Sequence, residues 1–201
     1  ELLTTFFENE SLLYRAIIDR GAVFNGMSND QVAQAILSYL ERERPDLLGV
    51  VFYNKDKELC IWEKGKEAAC LLSESIIPPE RRVTYFDQSH TYAADILQAQ
   101  GAKALVTIGE QLIAEDLFQA VWRMRGLKVK KQSLTFVMTR AVNKLISGDD
   151  QPNTDAIIRF GLKQQARKSE EDNYYSDLAA LSNIIRRAVL DKALAASTVE
   201  D

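Results

Sequence analysis

Short apolar runs that stop at polar or glycine-bearing loops, with helical spacing between them, limit most what this chain can fold into. Arg15-Ala16-Ile17-Ile18-Asp19 is β-branched and is broken by Gly21. Leu47 to Asn54, Val83 to Asp87, Ala104 to Gly109 and Ser133 to Met138 are similar runs. Runs of this length and composition read as buried strands. After the first, Ser28 is a helix N-cap with Gln31 as capping-box partner, and Val32, Ala35, Ile36, Tyr39 and Leu40 follow at helical spacing up to Pro45. Ala114 to Arg125 reads as a second helix, with Leu117, Ala120, Val121 and Met124 as its apolar face. Strands alternating with helices predict an α/β fold with a mainly parallel sheet and helices on its faces.

Three further features complete the layout. Runs at 47–54, 58–63 and 68–72, parted by turns at Asn54 to Lys57 and Lys64 to Lys66, predict a small antiparallel β-meander inserted at about 47–72. Residues 1–14 are expected to form a short helix on the main body. Ser147-Gly148-Asp149-Asp150-Gln151-Pro152 is a linker signal, so 1–147 reads as one α/β domain and 148–201 as a helical appendage. In the appendage a helix begins near Asn153, weakened at Gly161, and an amphipathic one spans Asp177 to Leu194, with 195–201 as a fraying tail.

Composition narrows the function classes. With 46% hydrophobic residues in 201, a packed core is affordable. A net charge of -4 argues against a dedicated nucleic-acid-coating protein. Cys60, Cys70 and a single histidine are too few for a zinc site built from Cys and His, and no metal site is predicted. No apolar run reaches the roughly 18–20 residues of a membrane span. No signal pattern opens the chain, and Glu1 stands where an initiator Met would. The expectation is a piece of a longer polypeptide, in the cytoplasm or another reducing compartment.

Two segments carry chemistry-bearing residues. Val83 to Phe86 delivers Asp87 and a polar loop with His90, Thr91 and Asp95 to a strand's carboxyl end, where open α/β sheets place ligands. Gln119 and Arg123 are four apart on one helix face, and Arg125 follows. Guanidinium groups there suit either phosphoryl charge or the helix dipole. Arg123, Arg125, Lys128, Lys130 and Lys131 form a basic run, which allows weak contact with a nucleic-acid backbone or simple solvation. No Gly-x-x-x-x-Gly-Lys-Ser/Thr loop occurs.

Thr91-Tyr92-Ala93-Ala94-Asp95-Ile96 resembles the Thr/Arg-Gly-x-Asp-Ile segment of superfamily-two helicases, and Gln119 to Arg125 resembles their Gln-x-x-Gly-Arg-x-x-Arg segment. Ala93 and Trp122 stand where that pattern has glycine. Closer still is a family of very large proteins classed as domains of unknown function. Its pattern is similar to Ile18-Asp19-Arg20-Gly21-Ala22, Gly26-Met27-Ser28-Asn29, Tyr85 to Thr91 and Arg123-Met124-Arg125-Gly126-Leu127. The resemblance covers about 15–138. It implies a RecA-like domain of P-loop NTPase type, the C-terminal half of an ATPase or helicase-like module that is inactive alone. Asp87, His90, Thr91, Asp95 and Gln119 would then face the nucleotide, and Arg123 and Arg125 would act as fingers. ATP would bind only together with a partner domain from the rest of the polypeptide. Two rivals stand beside this. One is part of a cysteine-peptidase-like hydrolase with His90 as base; the other is a catalytically inert interaction domain.

Overall fold

A computed structural model of the chain describes residues 14–89, 95–127, 129–148 and 150–197, with side chains of the last helix described to 187. The expected helix over 1–14 lies outside them except at Tyr14, which opens a strand. The strands are β1 (Tyr14–Ile18), β2 (Gly49–Tyr53), β3 (Leu59–Glu63), β4 (Cys70–Leu71), β5 (Arg82–Phe86), β6 (Lys103–Ile108) and β7 (Ser133–Met138). The helices among the described residues are α1 (Asn29–Glu43), α2 (Ala114–Val121), α3 (Arg140–Ser147) and α4 (Thr154–Ser197).

The seven strands form one sheet in the order β4-β3-β2-β5-β1-β6-β7. Strands β2, β5, β1, β6 and β7 run parallel. Strands β3 and β4 fold back antiparallel at one edge. The fold is therefore α/β with a mainly parallel sheet. The meander shares its first strand with that sheet, because β2 pairs parallel with β5 as well as antiparallel with β3.

Central strand β1 is buried on both faces, which is why it reads as continuous apolar sequence rather than alternating. Its Ile17 packs with Val50, Phe52, Val83 and Tyr85 under Val32, Ile36 and Leu40 of α1. Its Ala16 and Ile18 point the other way, to a core with Phe86, Val106, Leu117, Met124 and Ile157. The period of two along each strand makes this division.

Helix α1 follows its sequence signals closely. Ser28 and Gln31 form the reciprocal capping box. At the other end Lys64 Nζ donates to the carbonyls of Leu40 at 2.9 Å and Arg44 at 2.7 Å, placing a cation on the orphaned C-terminal oxygens.

Helix α2 stops at Val121, four residues short of the predicted end at Arg125. The chain leaves it in tight turns, with Arg123 N–H donating to Ala120 O and Met124 N–H to Val121 O. Gln132 Oε1 then accepts from Gly126 N–H at 2.8 Å. A Cβ on Gly126 would lie 2.6 Å from Lys130 Cβ, so the turn needs glycine there. Gln132 Nε2 in turn donates to Ala99 O at 3.0 Å, and these contacts together override the helical spacing.

Helix α3, begun by Thr139 as N-cap, occupies a stretch that sequence left unassigned before the linker. The two expected appendage helices are one continuous α4. Gly161 does not interrupt it. A Cβ there would sit 3.1 Å from Ala114 N, so the glycine lets α4 lie directly against the start of α2. Ile113, the N-cap of α2, offers no side-chain acceptor. Gln165 Oε1 supplies one from α4, accepting from Glu115 N–H at 2.9 Å.

Candidate functional site

Chain direction singles out the carboxyl ends of the central strands. From β1 the chain passes to β2 on one side, and from β6 to β7 on the other. Open α/β sheets form their crevice where this divergence occurs. Two polar groupings lie at this edge.

The first follows β1. Asp19 Oδ1 accepts from Val23 N–H at 2.9 Å and from Thr107 Oγ1 at 2.6 Å, and Oδ2 accepts from Phe24 N–H at 3.1 Å. Gly21 N–H donates to the same Thr107 hydroxyl at 2.8 Å. Arg20 is paired with buried Asp116 at the start of α2. An open cleft of about 820 Å³ lies beside this grouping, lined by Arg20, Gln88, Glu110, Asp116, Arg167 and Glu171 among others. Its charges are of both signs.

The second follows β5. Asp87, buried, accepts from Asn29 Nδ2 at 2.7 Å and from Ser89 N–H at 2.8 Å. Asn29 opens α1 and also donates to Tyr53 O at 2.8 Å, tying α1 to the end of β2. Arg123 is 8% exposed. Its Nε donates to Gln119 O at 3.3 Å. Burial holds its guanidinium below the usual arginine range, the charge of Arg125 adds to this, and Asp95 and Tyr53 oppose it. Burial likewise raises the Tyr53 hydroxyl, with Arg123 opposing and Asp87 and Asp95 reinforcing. Arg125 extends outward and meets Asp95 at 3.3 Å, both side chains being well exposed.

Of the predicted site residues, Asp87, Asp95, Arg123 and Arg125 thus come within one electrostatic neighbourhood, with Tyr53 between them. Gln119 contributes its backbone carbonyl. His90, Thr91 and Lys128 lie outside the described residues. Lys130 and Lys131 are exposed on the turn before β7 and Arg123 is buried, so the basic run is not one continuous surface.

Sequence reasoning missed Tyr53 and Asn29 as parts of this neighbourhood. Tyr53 is legible only as the last residue of a strand, and Asn29 only as the residue after an N-cap. Asp19 carried a signal, an acid directly after a buried strand, without a sign of what it binds.

The cysteines differ from an activated nucleophile. Cys60 pairs across from Phe52 and faces the α1 core. Burial pushes both the Cys60 and the Cys70 thiol up, away from the thiolate that nucleophilic chemistry uses. Among the described residues no cluster of three or more His, Cys, Asp or Glu is arranged to hold a metal ion. No described helix is long and apolar enough to cross a membrane. Comparison with protein-family models, curated proteins and solved structures finds no match for the chain.

Proposed function

We propose that this α/β domain is the second, RecA-like half of an ATPase or helicase-like module, and that Arg123 and Arg125 meet a nucleotide phosphate held by a partner domain. The observation that supports this most is the pairing of one buried and one exposed guanidinium beside Asp95, at the carboxyl end of β5. Two like charges set side by side repel, and one exposed carboxylate offsets little of that. A polyphosphate offsets more, because its oxygens accept several guanidinium hydrogen bonds at once.

The two arginines then divide the work. Arg123, anchored by Gln119 O, holds a fixed position and a fixed charge. Arg125 exchanges Asp95 for a phosphate oxygen and follows charge as it builds on the transferring group. Asp87 holds Asn29 and the loop at Ser89, so it shapes the site and does not react. Nothing in the domain holds the nucleotide's own phosphates through a lysine-bearing loop, so the domain alone has no turnover.

Phosphate release tests the reading. The isolated chain should release none from ATP. Once the domain is joined to the rest of its polypeptide, Arg125→Ala should cut turnover by about 10³-fold, the low end of what arginine fingers contribute. Unchanged turnover in that variant, or turnover by the isolated chain that Arg123→Ala abolishes, would contradict it.

A further inference from the structure

The two edges of the sheet are unlike. At one, β4 is two residues long. At the other, β7 runs for six, about 20 Å, and pairs with β6 in unbroken register from Ser133 to Met138. An edge strand presents a row of N–H and C=O groups, which natural sheets guard with short strands, bulges, proline or lysine. Ser133-Leu134-Thr135-Phe136-Val137-Met138 has no charge, proline or glycine.

Backbone direction alternates along β7. Ser133 N–H donates to Ala102 O at 3.1 Å, so in this parallel ladder the backbone groups of Ser133, Thr135 and Val137 face β6. Those of Leu134, Phe136 and Met138 face away, and among the described residues nothing is bonded to them. A groove of about 780 Å³ runs beside them, with residues 134–138 on one side and Asn143, Pro152, Asn153 and Ile157 on the other. Asn143 Oδ1 is buried and has no donor among the described residues. The half-buried side chains of Leu134, Phe136 and Met138 pack on the core of the helix-covered face. Alternate amides and carbonyls, with apolar side chains at the same alternate positions, match an extended backbone.

Charge names whose backbone it is. Among the described residues that line the groove, Arg140 alone is charged. The chain carries no acid from 117 to 148, whereas Lys130, Lys131 and Lys144 lie in that stretch. The β7 edge of a second copy, in any register, would bring bases and no acid to Arg140. A segment of a different protein that carries a carboxylate fits better.

We propose that the outer edge of β7 receives an extended segment of a partner protein as an eighth strand, apolar at alternate positions and with an acidic residue opposite Arg140. This edge stands three places from β5 in the sheet, and the proposal does not rest on the function proposed above.

Selection of phage-displayed random dodecapeptides on the 201-residue chain tests it, followed by amide exchange with the best peptide bound. The retained peptides should alternate apolar residues and carry Asp or Glu at one end. Exchange should slow by about tenfold or more at the amides of Leu134, Phe136 and Met138 and change little at Ser133, Thr135 and Val137, which already bond to β6. Phe136→Pro removes an outward N–H and no ladder bond, so it should weaken binding about tenfold more than Phe136→Ala. Arg140→Glu, exposed at the start of α3, should exchange the preference for acidic peptides for one for basic peptides, by about fivefold. A library that yields no binder would overturn the proposal. So would peptides that protect none of the three outward amides, equal binding by the Pro and Ala variants, or an unchanged preference in Arg140→Glu. Protection of the three amides in the peptide-free chain, rising with its own concentration, would assign the edge to a second copy and overturn it as well.

Discussion

Asp19 and Asp87 occupy the same kind of place. Each directly follows a parallel strand, the strands are neighbours, and Ile18 lies level with Phe86 in the register. Each is buried. Their neighbours differ. Both Asp19 oxygens are taken, by the half-buried Val23 amide and the buried Phe24 amide of its own loop and by the buried Thr107 hydroxyl. Among the described residues, Asp87 accepts from a side chain of α1 and from the Ser89 amide, beside a tyrosine from β2 whose field includes Arg123 from beyond α2. A carboxylate whose oxygens are taken by amides of its own loop and one hydroxyl of a neighbouring strand builds the scaffold. One that meets side chains from several elements helps to build a site. Position in the fold alone does not tell the two apart.

The largest expected effect lies at the scaffold end. Asp19→Ala leaves the buried Phe24 amide, the half-buried Val23 amide and the Thr107 hydroxyl without their acceptor, and should cost about 3–5 kcal/mol in urea unfolding. Asp87→Asn keeps the volume and one acceptor oxygen and should cost about 1–2 kcal/mol. Equal losses would erase the distinction between the two ends.

Gly21→Ala comes next. Its Cβ would lie 2.9 Å from the Ile108 carbonyl carbon, backbone that cannot swing aside, so a loss of about 1–3 kcal/mol is expected. A neutral result would mean that the β1 and β6 loops do not approach as closely as described. At the site end, Arg125→Ala should cost about 0.5 kcal/mol or less, since its ion pair is largely exposed. A substantial loss of stability there would make Arg125 part of the scaffold and remove it from the proposed site.

The smallest effect is a control remote from both ends. Its hydrogen bond from Arg44 holds the Asp46 carboxyl below the usual carboxylate range, against a smaller opposing effect of burial. A depressed folded value means that the pair stabilises the fold above the unfolded pKa of about 3.9 and loses that contribution as pH falls through the folded value. Asp46→Asn should therefore cost a few tenths of a kcal/mol at neutral pH, because half of the side chain is exposed, and nothing once acid has neutralised the Asp46 carboxyl of the unsubstituted protein.

Where local chemistry decides the structure, the sequence was readable. Ser28, Gln31 and Pro45 bound α1 because caps and proline act over three or four residues. The buried strands were readable because their apolar runs are short and end at polar or glycine-bearing loops. Distant contacts decide the rest. Helix α2 ends early because Gln132, anchored on the Ala99 carbonyl 33 residues away, holds Gly126. Gly161, which weakens an isolated helix, is what lets α4 reach α2. Asp87, Asp95 and Arg123 each carry a sequence signal, and it is the fold that sets them near one another. The intervention of Tyr53 and Asn29 was not legible, because it depends on β2 lying next to β5 although the two are separate in the chain.

The comparison between the two ends is tested most directly by titrating ATP, without magnesium, into the isotopically labelled domain joined to the rest of its polypeptide and following arginine side-chain and glycine backbone resonances. The account predicts binding that moves the Nε–H signals of Arg123 and Arg125 and leaves the amides of Gly21 and Gly109 in place. Shifts confined to Gly21 and Gly109, with both arginines unmoved, would put the anion in the cleft beside β1 and β6 and contradict it.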